Sequence, residues 1–426
     1  MAYLSRGGAV LFAALFALIA HADLQQELAA LEPGSRFELP PQSLPSLTLT
    51  VPDTVITCAA DTIIDAGGKG HGVEISAPGI TLRGCEIRNW GSDLNKMDAG
   101  IFVAREARGA VVQDNRLSGP GFGIWLDATP EVTVRDNQVR GDAELRSQDR
   151  GNGIHLFNIS GALIEGNDIR QTRDGIYIET SNGNTIRNNS ISDLRYGVHY
   201  MYSMSNVLEG NHTYRTRTGY ALMQSKHLTV TDNRSENDEN YGILMNYITN
   251  STLRNNRVTG ITQRGTGGVT VSGAEGKAVF IYNSLYNTFE NNLFANSDIG
   301  IHLTAGSENN ELVANAFLNN ERQVKYVANR TQEWSKDGRG NYWSDYLGWD
   351  RDQDGLGDVP YEPNDNVDRL LWTYPQVRLL LNSPGVELLR WVQRAFPVVR
   401  SPGVRDSHPL MNAPVHPAQT AAQVLP

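Results

Sequence analysis

Four of the seven methionines of this 426-residue chain, Met201, Met204, Met223 and Met245, fall within one 45-residue stretch, with His199 two residues before it and His227 inside it. Thioether sulfur together with imidazole nitrogen is the donor set that suits Cu(I). The candidate copper ligands are therefore His199, Met201, Met204, Met223 and His227; the competing reading is an exposed apolar strip for a partner, with His227 as surface decoration. A second constellation is all oxygen. Asp350, Asp352, Asp354 and Gly355 match positions 1, 3, 5 and 6 of a calcium loop, with Asp358 at position 9. Position 12 is Tyr361 and not Glu, so a calcium site here lacks its bidentate ligand, and a plain Asp/Gly turn explains the same residues.

The elements that position these side chains are legible as a repeat. Gly175-Ile-Tyr-Ile178, Gly197-Val-His-Tyr200, Gly219-Tyr-Ala-Leu222 and Gly242-Ile-Leu-Met245 follow one another at steps of 22, 22 and 23 residues. Each is trailed by a second short strand ending in asparagine, as in Thr185-Ile-Arg-Asn-Asn189 and Thr229-Val-Thr-Asp-Asn233. A fixed period of strand, turn, strand without reversal predicts an all-β, single-stranded right-handed parallel β-helix. Stacked coils would set Asn115, Asn137, Asn167, Asn189, Asn211, Asn233, Asn256, Asn292 and Asn315 in one hydrogen-bonded column, filling left-handed turn positions that Asn tolerates. Period-2 alternation then points His199, Met201 and Met223 outward on adjacent rungs, and sends Met245 inward as core filler.

A net charge of −10 argues against a nucleic-acid partner, which would want a basic face. Residues 1–22 read as a signal peptide, with Arg6, an apolar run from Ala9 to Ala20 and a small-x-small site at Ala20-His21-Ala22; an uncleaved anchor is the alternative. In an exported chain the only two cysteines, Cys58 and Cys85, read as a disulfide between neighbouring rungs sooner than as a metal site. The remaining organisation is a cap over 23–54, the β-helix over 55–333, a cap with the Asp-rich loop over 334–375, an amphipathic helical segment over 376–400 and a flexible tail over 401–426. Insertions from Gly141 to Asn152 and from Gly260 to Lys277 should project as loops. In the amphipathic segment Leu389, Trp391 and Phe396 form a candidate partner-binding face.

Parallel β-helices also host polysaccharide lyases and epimerases. Trp125, His155, Tyr177 and Glu179 share the outward face, but no paired carboxylates stand out, and the Asp-Pro-His-Asp motif of alginate epimerases is absent. The segment Tyr196-Gly-Val-His-Tyr-Met-Tyr-Ser-Met-Ser-Asn206, with Lys277-Ala-Val-Phe-Ile-Tyr282, Gly340-Asn-Tyr-Trp-Ser-Asp345 and Pro384-Gly-Val-Glu-Leu-Leu-Arg-Trp391, resembles instead the NosD family of periplasmic nitrous-oxide reductase maturation proteins. The resemblance covers nearly the whole mature chain. It implies a non-enzymatic, periplasmic accessory protein. Its partners would be an ABC transporter permease with its ATPase, a copper-chaperone lipoprotein and nitrous-oxide reductase, whose copper-sulfur centre is assembled.

Overall fold

The computed structural model describes residues 23–263, 273–304, 306–327, 330–364, 383–395 and 403–414. Two compact units, Met1–Ser190 and Ile191–Pro426, follow one plan. Every coil contributes three short strands, and each strand pairs in parallel with its counterpart in the adjacent coils, so that each unit is an all-β parallel solenoid walled by three sheets. The sequence repeat shows only two of the three strands. The third follows each column asparagine, as in Asp168–Arg170 or Arg234–Glu236. In these two it carries a single inward residue between polar ones, too short an alternation to register as a strand.

In the first unit the solenoid begins earlier than the sequence predicts. Arg36–Leu39 pairs in register with Val55–Cys58, so a full coil already stands within the segment assigned to the cap. Pro40, Pro41 and Pro45 hid it; they flank the short strands of that coil and do not break them. The cap is reduced to a helix over 23–29, whose Leu24 and Leu28 are buried. Its Gln25 donates from Nε2 to the Thr48 carbonyl at 2.7 Å and accepts from the Thr48 amide at 3.1 Å, covering backbone groups of the terminal strand. A disulfide joins Cys58 to Cys85 in the next coil, with Cα atoms 5.0 Å apart. The insertion before Asn152 is tied back by Arg150, which donates to the carbonyls of Ala143, Leu145 and Gln171.

The core of both units is a stack of like residues, such as Ile101, Ile124, Ile154 and Ile176, all fully buried. Beside it runs the asparagine column. Asn137 donates from Nδ2 to the carbonyls of Val112 and Arg135 and to Oδ1 of Asn167, while its own Oδ1 accepts from the amide and side chain of Asn115. Asn233 repeats every one of these bonds with Leu208, Thr231, Asn256 and Asn211. The column residues do not themselves take the left-handed conformation. The residue before each does: Asp136 at φ 56° and Asp232 at φ 57°, for example. That arrangement makes sense, because the corner is turned one residue early and leaves the asparagine free to face inward.

In the second unit the column ends at Asn341, whose Oδ1 accepts from Asn315 at 2.8 Å. Asp406, fully buried, accepts from the Asn341 amide at 2.7 Å and from the Trp343 indole at 2.9 Å. Val404–Arg405 pairs with Gln332–Glu333. Residues 403–414 are therefore part of the closing cap, a correction to the tail expected from 401 onward; the sequence signal failed because one aspartate and a two-residue strand hold the segment. A helix, Pro384–Ala395, buries Val386 and exposes Leu388, Leu389, Trp391 and Val392. Phe396, residues 1–22, which the sequence reads as a signal peptide, and residues 264–272 of the 260–277 insertion lie outside the described residues. Among those described, no helix is long and apolar enough to cross a membrane.

Candidate functional site

The methionine and histidine candidates all fall in the second unit. Its third sheet is built from Tyr196–Met201, Thr218–Met223, Tyr241–Asn246, Lys277–Tyr282, Ile299–Thr304 and Arg322–Val327. Met201 and Met223 are register partners on the first two of these strands, so their side chains share one face at the rung spacing of about 4.8 Å. Both are half-buried. His199 sits two residues before Met201 on the same face; it is 9 % exposed and meets the Tyr196 ring edge-on at 4.9 Å. Its register neighbour Ala221 adds only a methyl group to that column. Met204, in the turn after Met201, bridges through its backbone to Lys226, and the exposed His227 follows Lys226. Met245 is fully inside, in register with Leu222.

The other end of this sheet has the opposite character. Lys277 is buried, donates to the carbonyls of Gly273 and Glu275, and lies 5.3 Å from the Tyr241 ring. Burial pulls its amine down to about 8. His302, in register with Lys325, is pushed down to about 3 by burial and by the charges of Lys325 and Lys277. Glu275, whose carboxylate lies 4.0 Å from the Lys325 amine, partly offsets those charges.

The aspartate loop brings together three of its four candidates. Donor oxygens of Asp350, Asp352 and Asp354 lie within 4.8 Å of one another. Asp358 is turned away to accept from the Arg351 amide at 2.7 Å, and Asp350 also accepts from the amides of Gln353 and Gly355. The group is an oxygen-only set of the kind that takes calcium, holding fewer protein ligands than the ion usually has.

In the first unit Trp125, His155 and Tyr177 do converge, with ring centroids 4.0 Å and 4.7 Å apart. His155 is buried, 3.2 Å from the Asn152 amide and 3.3 Å from the Glu179 carboxylate. The imidazole engages the one acid of the cluster, and the rings pack on each other instead of lining a cleft.

Sequence reasoning missed a set of tyrosines. Tyr202, Tyr247 and Tyr286 occupy turns in the left-handed region at φ 52°, 56° and 57°, and all are more than half exposed. Aligning the repeats would have found them, since Asn283 and Asn250 fill the same turn positions in neighbouring coils.

A family profile described as periplasmic copper-binding protein (NosD) matches residues 135–348, and a family of proteins of unknown function matches residues 50–213. The chain is 68 % identical over 359 residues to a Pseudomonas aeruginosa protein named probable ABC transporter binding protein NosD, covering 84 % of each chain. It is 65 % identical over 369 residues to the protein of the same name from Stutzerimonas stutzeri, covering 86 % of this chain and 85 % of the relative. Among solved structures it is similar to the A-module of an Azotobacter vinelandii mannuronan C-5 epimerase (TM-score 0.58, 15 % identity, 76 % of this chain and 93 % of that one). A Yersinia enterocolitica family 28 exopolygalacturonase is also similar (TM-score 0.53, 13 % identity, 71 % and 74 %). At such identities the likeness to the two enzymes shows the fold alone. The methionine-bearing coils lie inside the matched profile, and the chain belongs to the NosD family of periplasmic copper-binding proteins.

Proposed function

We propose that this protein is a non-enzymatic accessory factor that works with an ABC transporter in assembling the copper-sulfur centre of nitrous-oxide reductase. Cu(I) is its cargo, received from a copper-chaperone lipoprotein and released to the reductase. The observation that carries this reading is the register pairing of Met201 with Met223, with His199 and Met204 beside it. Thioether ligation is soft and weak, which suits a carrier that must let its metal go. His227 stands at the rim as a further nitrogen donor. Anaerobic Cu(I) titration of the chain from Asp23 against a competing chelator tests it. The expected result is reversible Cu(I) binding that falls at least tenfold when Met201, Met204 and Met223 are all changed to alanine; absence of binding by either protein would sink the relay and leave a scaffold.

The exposed side of the Pro384–Ala395 helix, with Leu389 and Trp391, is the face that docks on the permease. Leu389→Glu with Trp391→Glu, which leaves the cap residues 403–414 in place, should abolish co-purification with the permease and its ATPase. Retained co-purification would count against the assignment. A carbohydrate lyase or epimerase is favoured only by the Trp125–His155–Tyr177–Glu179 cluster, and a lyase would release ultraviolet-absorbing products from acidic polysaccharides.

A further inference from the structure

The first sheet of the first unit opens with the strands Arg36–Leu39, Val55–Cys58, Thr81–Arg83, Val111–Gln113 and Thr133–Arg135, paired in register. Their outward residues line a groove of about 580 Å³. Half-buried Val55, Thr57, Thr81, Val111 and Gln113 form its floor, and the exposed Arg36, Arg83 and Arg135 stand over it. Register sets these arginines two rungs apart. Val55 separates Arg36 from Thr81, on the strand of Arg83, and Gln113 separates Arg83 from Arg135. Each step is therefore about 9.6 Å along the solenoid axis.

Just beyond the groove the same column neutralises its charges rung by rung. Glu165, the register neighbour of Arg135, is engaged by Arg187 of the following coil at 2.7 Å. Inside the groove the neighbours of Arg83 are neutral, Thr57 on one side and Gln113 on the other. Among the described residues neither Arg36 nor Arg83 has a carboxylate within ion-pair distance, and the lining sets one acid, Glu38, against three arginines. Arg135 is held in place by a neutral partner. Its Nε and Nη2 donate to Oε1 of Gln113 at 2.9 and 2.7 Å, and Gln113 donates in turn to Asp114, whose charge is taken up there. That uses two of the five N–H groups of the guanidinium.

Independently of the copper reading, we propose that this groove binds a linear uronate polysaccharide lying along the solenoid axis. A guanidinium fork takes a carboxylate in two parallel bonds. In an extended uronate chain alternate carboxylates face the same way, so arginines two rungs apart take every second sugar, while Thr57 and Thr81 offer hydroxyls to the sugar hydroxyls. An acidic peptide fits less well. Extended peptides are held by main-chain bonds at an open sheet edge, and Thr81–Arg83 and Val111–Gln113 are already paired on both sides. The groove holds its ligand without cleaving it: arginine keeps its proton, and the lining has no histidine, lysine or tyrosine and a single carboxylate.

The test is calorimetric titration of the chain from Asp23 with a short oligogalacturonate, the galacturonate monomer, a neutral malto-oligosaccharide and oligoglutamate. Two variants accompany the parent. Arg83→Gln with Arg135→Gln empties the groove of two guanidinium groups, and Arg187→Gln removes an arginine of the same column that Glu165 already engages. We expect the parent to bind the oligouronate at least tenfold more tightly than the monomer or the neutral chain. The double variant should lose at least tenfold, and Arg187→Gln should bind as the parent does. No binding by the parent, no loss in the double variant, or an equal loss in both variants would overturn the proposal. Oligoglutamate bound as tightly as the oligouronate would overturn it too, and give the groove to an acidic peptide. Should the double variant fail to fold, Arg36→Gln carries the same test, with an expected loss of at least threefold.

Discussion

The same turn is built differently in the two units. After the third-sheet strands of the first unit the two left-handed positions hold Ala128 and Glu131, Asn158 and Gly161, then Thr180 and Gly183. In the second unit they hold Tyr202, His227, Tyr247 and Tyr286 among smaller residues. The asparagine columns, in contrast, are bond-for-bond alike. The interior differs as well: where the first unit buries Leu117, Val139 and Ile169 in the middle strand, the second buries Thr213 and Ser235 around the carboxyl of Asp238. What the contrast teaches is a division of labour. Residues that stack coil on coil are constrained at every rung, while turn side chains and a pocket of the core are free to vary with what each stretch does.

The largest test of the shared part is to remove one column asparagine from each unit. Asn137→Ala and Asn233→Ala each orphan several buried partners and should destabilise by about 3–5 kcal/mol, by similar amounts, in denaturant midpoints. A large inequality would show that the columns are not equivalent. The polar core pocket comes next. Burial raises the Asp238 carboxyl from 3.8 to about 6, against bonds from Ser235, Thr216 and Thr213. A carboxyl whose folded pKa is raised stabilises fully below its unfolded value and loses that contribution as pH rises. Stability should therefore fall by about 3 kcal/mol between roughly pH 4 and 6 and stay flat above, and Asp238→Asn should erase that slope. The smallest effect exchanges the turns. Thr180→Tyr in the first unit and Tyr202→Asn in the second should move stability in opposite directions by about 1 kcal/mol or less, read as shifts in Tm; a loss on Tyr202→Asn would mean the ring packs as structure.

Much of this was readable from the chain. The Gly-opened triplets and the spaced asparagines give the solenoid, because stacking forces the same residue types to recur. The alternation around Gly197 and Gly219 gives the outward face with Met201 and Met223. What escaped were features held by few residues: the proline-marked first coil, the return of Asp406 into the cap, and the left-handed tyrosines, whose meaning lies in backbone angle and not in residue type. The Asp350 loop shows the opposite failure. Its spacing is right for four carboxylates, yet Asp358 is claimed by the Arg351 amide, a competition that spacing alone does not reveal.

The register of the second unit also makes the protein a ruler. Between the strand that carries Met223 and the final strand Arg322–Val327 stand Tyr241–Asn246, Lys277–Tyr282 and Ile299–Thr304, each one step of about 4.8 Å. The separation between the methionine-bearing face and the C-terminal cap can therefore change only in whole coils. Evolution or an engineer could lengthen or shorten the reach of this arm by discrete increments without redesigning either end.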